Sequence, residues 1–454
     1  MPNQLTLLDF GRGAAQQEDN LRDFFYRSAA YQQAVSRDIY LILGGKGAGK
    51  SAIYGILKDE AGTLSTFQSP NAVIVDEPFV LRDLNPTIAR INNSRSNLWK
   101  LYFASLAAEC IIAAPSADAE LVDKCRRFLA RWGLVSDVPT KWQSLRSMKV
   151  NLNWGNIIST EFPPKTELTV GEIDSVLIAV SQHFHSRSGK LWLCIDSLDE
   201  VSLEGQSTAT TEDILGDCMR AVGEVIRYPG IKFKLFFRTD IYNRLTYVNK
   251  DHFSSSKIEL KWPKNDLAIL LAHRLVKLHP DHQGNVSAAK AQEWIDKVFE
   301  WSDSLGSFDD LYAKLQDGLG NVQPRDLVQF CIQAQRRQST FNTQVTNVPA
   351  NNKLVSAQAI LEGLSETANA KLNDFLNVFR LYSATMEQLR GHPTATISRS
   401  DLAKVFGKSP VDTSLVIADL WSVGVLRVMD KKSIHQAQLF EVPFLYAKAL
   451  DLGG

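Results

Sequence analysis

Between residues 40 and 60 the chain reads Tyr40-Leu41-Ile42-Leu43, then Gly44-Gly45-Lys46-Gly47-Ala48-Gly49-Lys50-Ser51, then a helix-like stretch from Ala52 to Glu60. The short apolar run has strand character, and the four glycines that follow admit backbone conformations closed to other residues. A loop of this composition curls its N–H groups inward, and the helix after it aims the positive end of its dipole at whatever the loop encloses. A polyphosphate answers that description. In this pattern Gly44 to Gly49 and Ala52 form the cradle, Lys50 reaches the β- and γ-phosphates, and the Ser51 hydroxyl coordinates Mg²⁺. Nucleotide binding follows from strand, eight-residue pattern and helix taken together.

Composition narrows the setting. At about 100–200 residues per domain, 454 residues imply roughly two to four domains. Lys and Arg together number 50, as do Asp and Glu. Bulk electrostatic coating of nucleic acid or anionic membrane is therefore disfavoured, and any such contact must be local. The best apolar stretch, residues 103–114, is too short to span a bilayer and carries Glu109. The first ten residues lack a signal-peptide pattern, so the chain reads as cytoplasmic, without membrane contact. Five widely spaced cysteines (Cys110, Cys125, Cys194, Cys218 and Cys331) read as buried thiols, and neither they nor the histidine pairs His183/His185 and His279/His282 have zinc spacing.

A phosphate loop needs an acid at the end of another strand to hold the Mg²⁺ shell, and two stretches offer one. Val73-Ile74-Val75-Asp76-Glu77 suits a strand next in sequence, at a sheet edge. Leu191-Trp192-Leu193-Cys194-Ile195-Asp196-Ser197-Leu198-Asp199-Glu200 is the stronger, an apolar strand followed by three acids in five residues. Further on, residues 231–237 alternate and then turn apolar before Arg238-Thr239-Asp240. That places a guanidinium at a strand's C-terminal end, where open α/β sheets bind ligands and where it suits phosphate oxygens. Residues 258–262 read as a last strand, with Asn265 or Asp266 capping a helix to Leu275.

The order of phosphate loop, long insertion, Asp-x-x-Asp-Glu strand and Arg strand resembles the STAND and AAA+ branches of P-loop ATPases. Within them it resembles bacterial stand-alone P-loop ATPases encoded near phage-defence functions. The carrying residues are Glu18-Asp19 with Tyr26 and Tyr31 in a helix before the loop, residues 45–52, Phe237-Arg238-Thr239-Asp240-Ile241 and Pro324-Arg325-Asp326-Leu327, over residues 11–336. The resemblance implies ATP as ligand, Asp196 on Mg²⁺, Arg238 as a first sensor of nucleotide and Arg325, in a helical lid, as a second. It also marks a departure. Ser197 stands where many active AAA+ proteins place the glutamate that orients water, so that role falls to Glu200 or Asp199, or else hydrolysis is slow.

The expected architecture is thus α/β: a P-loop NTPase core with a mostly parallel sheet over residues 1–265, a helical insertion near 95–150 and a helical lid at 266–336. A polar linker at 337–355 follows, then a winged-helix-like domain at 356–454. The insertion rests on Leu98, Leu101, Tyr102 and Leu106, then Leu121, Cys125, Phe128 and Leu129, at helical spacing; another helix is read from Ile173 to Val180. In the last domain, helices at 401–406 and 412–423 precede a hairpin of 425–428 and 438–442. Winged helices place the second helix in the DNA major groove. Here that helix carries Asp412 and Asp419 and no Lys or Arg, and residues 356–454 hold ten basic and ten acidic side chains. Two functions stay open: an ATP-driven switch that forms a homo-oligomer and regulates a protein effector, possible in phage defence by resemblance alone, and a DNA-associated ATPase of initiator or loader type.

Overall fold

A computed structural model describes residues 5–13, 18, 21–36, 39–60, 72–75, 94–114, 117–131, 170–198, 211–247, 250–279 and 285–453. They form two compact units. One comprises Met1–Ser28, Gly45–Ala52 and Leu260–Gly454, the other Ala29–Gly44 and Ile53–Glu259.

The second unit is built on five strands, β1 (Leu41–Gly44), β2 (Ala72–Val75), β3 (Leu191–Ile195), β4 (Ile231–Arg238) and β5 (Lys257–Glu259). All pairings are parallel, in the order β2-β3-β4-β1-β5. Parallel strands covered on both faces need continuous apolar runs, and β1 and β3 are buried at every residue. The edge place expected for Val73-Ile74-Val75 is where β2 lies, beside β3; Asp76 and Glu77 fall outside the described residues. Leu41 and Ile195 both pair with Leu235, and Gly44 pairs with Arg238, so the C-terminal ends of β1, β3 and β4 share one edge.

In the alternating part of β4, the second lysine does not face solvent. Lys234 is fully buried, its ammonium donating to the carbonyls of Ser36 (2.6 Å) and Ile39 (2.8 Å) above the Trp192 ring. A buried ammonium survives only when so satisfied, and here it ties down the chain entering β1. Helices Arg95–Ala113, Ala119–Arg131, Val170–Ser186 and Thr211–Val225 pack in one core with β1, β3 and β4. Residues 132–150 of the expected insertion, with Trp142, and Trp154 lie outside the described residues. Four cysteines are buried free thiols, while Cys110 is only half-buried.

In the first unit, helices Lys264–Leu275, Ala288–Val298, Phe308–Leu315, Pro324–Gln344 and Ala357–Val378 share a second core. Three sequence readings need correction here. The helix expected to be capped by Asn265 or Asp266 begins earlier, at Lys264 after Pro263, with no side-chain cap; the ring holds φ of Pro263 at −57°. The helix expected before the loop is two short pieces, Leu21–Phe24 and Ala29–Ala34, with Tyr26 between them donating to Asp266 at 3.4 Å. The stretch 337–355 is helical as far as Gln344. Ser339, Thr340 and Thr343 turn their hydroxyls back onto carbonyls four residues earlier, which lets a polar sequence stay helical.

The C-terminal part has two helices and a hairpin where these are expected, with a short strand before them that is not expected. Strand β6 (Thr396–Ser398) leads to helices Arg399–Phe406 and Pro410–Ser422, then β7 (Arg427–Val428) and β8 (Leu439–Glu441), an antiparallel sheet ordered β6-β8-β7. Both helices start two residues before the expected positions because Ser398 and Ser409 cap them, accepting from the N–H groups of Asp401 and Asp412. No helix among the described residues is long and apolar enough to cross a membrane.

Candidate functional site

The phosphate loop leaves the sheet edge at the end of β1 and runs into the helix Lys50–Glu60. Gly47 (φ +87°) and Gly49 (φ +94°) adopt the left-handed conformations the sequence pattern requires. At Gly47 space adds a second constraint, since a Cβ there would lie 2.8 Å from Cβ of Arg325. Lys50 is 9% exposed and its ammonium reaches back across the loop to the Gly45 carbonyl at 3.0 Å. Ser51 and Ala52, in the first turn, are half-buried.

Three residues that the sequence pattern did not single out, Trp262, Gln323 and Asp374, hold this loop together with Arg325. The Trp262 indole donates to the Ala48 carbonyl at 2.9 Å. The Gln323 amide would lie 3.1 Å from a Cβ on Gly45. Arg325 donates its backbone N–H to the Gly47 carbonyl at 3.4 Å and its Nε to the Gly13 carbonyl at 3.2 Å. Asp374, on the helix Ala357–Val378, accepts the Lys46 ammonium at its backbone carbonyl (3.2 Å), and its carboxylate lies 3.9 Å from that ammonium and 3.8 Å from the Arg325 guanidinium. Asp374 thus joins Lys46 of the loop to Arg325. The sequence places Arg325 near nucleotide only through the resemblance, and nothing in it marks Asp374, whose partners lie far away in the chain.

At the sheet edge, Asp196 follows β3 directly and is 4% exposed. Ser197 next to it has φ +56°, a left-handed conformation costing a non-glycine residue about 1 kcal/mol. The chain turns sharply there and buries Leu198 completely. Asp199 and Glu200 lie outside the described residues. Arg238 ends β4 opposite Gly44, is 7% exposed and forks onto Asp240, Nε to Oδ1 at 3.1 Å and Nη2 to Oδ2 at 2.7 Å. Two-point pairing of this kind fixes a guanidinium in plane.

No protein-family model and no curated protein matches the chain. Among solved structures it is similar to Cdc6p from Pyrobaculum aerophilum, at 11% identity and a TM-score of 0.33, over 95% of this chain and 97% of that one. It is also similar to the ORC2 protein of Aeropyrum pernix, solved as ADPNP–ADP complexes, at 11% identity and a TM-score of 0.39, over 94% and 96%. Likeness at this level assigns no activity to this chain.

Proposed function

We propose that the chain binds ATP with Mg²⁺ at the loop 44–52, hydrolyses it, and uses the cycle as a switch that self-associates and acts on a partner protein. The loop carries this reading. Positive φ at Gly47 and Gly49, the helix beginning at Lys50 and the buried Lys50 ammonium together make a preorganised site for an anionic polyphosphate. Ser51 carries a hydroxyl and Asp196 a carboxylate, oxygen donors of the kind Mg²⁺ takes beside substrate phosphates. When bound, the ion would offset charge on the β- and γ-oxygens.

In this reading Lys50 exchanges the Gly45 carbonyl for phosphate oxygens, and the loop amides orient the chain of phosphates. Arg238, held in plane by Asp240, and Arg325, at the start of its helix, are the sensing cations. Asp199 or Glu200, following the Ser197 turn, orients the attacking water. The segments 1–265, 266–336 and 356–454 then serve as core, lid and winged-helix-like output module, and the phage-defence setting belongs to the resemblance.

The DNA-anchored alternative has less behind it. The helix Pro410–Ser422 exposes Val411 (72%) and Leu415 (62%), one turn apart, and carries no basic residue. Arg399 is spent inside the domain on the carbonyls of Ala437 and Ile434, and Arg427 on Glu441. Lys431 and Lys432 are exposed in the wing, but a helix that exposes apolar side chains and no cation suits a protein surface better than phosphate backbone. Steady-state phosphate release from MgATP tests the reading: turnover that Lys50→Ala abolishes and duplex DNA leaves unchanged supports it, whereas strong stimulation by DNA supports the alternative.

A further inference from the structure

Arg325 and Asp326 are consecutive at the start of one helix, and Lys371 and Asp374 lie one turn apart on one face of another. They make two crossed ion pairs of very different character. Asp326 and Lys371 meet at 2.6 Å with side chains only 10% and 16% exposed, which anchors the helices to each other. Arg325 and Asp374 stand 3.8 Å apart with side chains 30% and 49% exposed, and Asp374 shares itself with Lys46 of the phosphate loop. One pair is structural. The other is loose, half-solvated and shared with Lys46 of the loop.

We propose that Asp374 sets the nucleotide affinity of the loop by competing with the ligand's phosphates for Lys46 and Arg325. The proposal rests on the nucleotide-binding reading above. Exposed pairs at nearly 4 Å are weak, whereas a phosphate takes a guanidinium in short, charge-assisted, two-point contacts. The carboxylate is therefore a partner that phosphate can displace. It also sits near the C-terminal end of its helix, where the dipole disfavours an anion, so the two cations are what make the position tolerable. By linkage, phosphate that draws Lys46 and Arg325 away must loosen the last turns of Ala357–Val378 to the same extent that Asp374 weakens phosphate. The anchored Asp326–Lys371 pair keeps the rest of that helix in place.

Titration of the full chain with MgATP, MgADP and adenosine, for wild type, Asp374→Asn and Lys50→Ala, tests this. Asp374→Asn, conservative and half-exposed, is expected to bind ATP roughly three- to tenfold tighter, ADP with a smaller gain and adenosine with none. Unchanged or weakened ATP binding in Asp374→Asn, where wild type binds and Lys50→Ala does not, overturns the role of Asp374 and leaves the nucleotide site standing. An equal gain for adenosine overturns it as well, because the effect would not lie at the phosphates. If no form binds any nucleotide, the nucleotide reading fails and takes this role with it.

Discussion

At Gly47 the backbone angle and the neighbour make the same demand, so substitution there tests both. An alanine must hold φ near +87° and push against Cβ of Arg325, an atom next to a helix backbone that cannot swing away. Gly47→Ala is expected to cost about 1–3 kcal/mol of stability and to weaken ATP binding; a denaturant midpoint equal to wild type would contradict this. Asp196 is tested by its dependence on the ion: Asp196→Asn should make ATP affinity insensitive to Mg²⁺, read by titration with and without chelator. The loop was legible in the sequence because its residues are contiguous and each is required by its own backbone or its own atom. Trp262, Gln323 and Asp374 were not, since their roles arise from contacts across the fold. The left-handed Ser197 was equally hidden, as nothing in serine announces a positive φ.

The elements were legible in proportion to their burial. β1 and β3 are buried throughout, so their sequences are apolar without interruption and admit one reading. In β4 the lysines imitated alternation, because a buried Lys234 satisfied by two carbonyls looks in sequence like a solvated one. The polar stretch after residue 336 misled in the same way. Gln338 is fully buried there, donating to Asn342 and accepting from the Ser356 N–H that starts the next helix. Glu109, which interrupts the apolar stretch of the helix Arg95–Ala113, has its carboxyl pushed up to about 7 by burial. A carboxyl raised in the fold above its unfolded value favours the folded state at low pH and penalises it as pH climbs past the unfolded pKa toward 7. Glu109→Gln is accordingly expected to stabilise the protein by about 2–3 kcal/mol at pH 8 and by much less at pH 5. Equal effects at both pH values would contradict the burial of an ionisable group there. Lys371→Met should be among the most damaging changes in the first unit, about 3–5 kcal/mol, because it strands Asp326 with little solvent.

For the whole molecule, the proposed association with proteins rests on the helix Pro410–Ser422, where Val411 and Leu415 are exposed. A continuous set of contacts leads from Asp374 to that helix: Phe375, beside Asp374, packs on Phe379 and Tyr382, and the Tyr382 hydroxyl donates to Asp419 at 2.8 Å. Amide exchange in residues 370–378 is expected to rise on ATP binding, and a nucleotide-independent exchange pattern would argue against coupling. The coupling depends on the loop taking a nucleotide. Calorimetric titration of the full chain with MgATP, beside Lys50→Ala, tests that most directly: the account predicts saturable binding that the variant weakens at least about tenfold, and no binding, or binding that Lys50→Ala leaves intact, would contradict it.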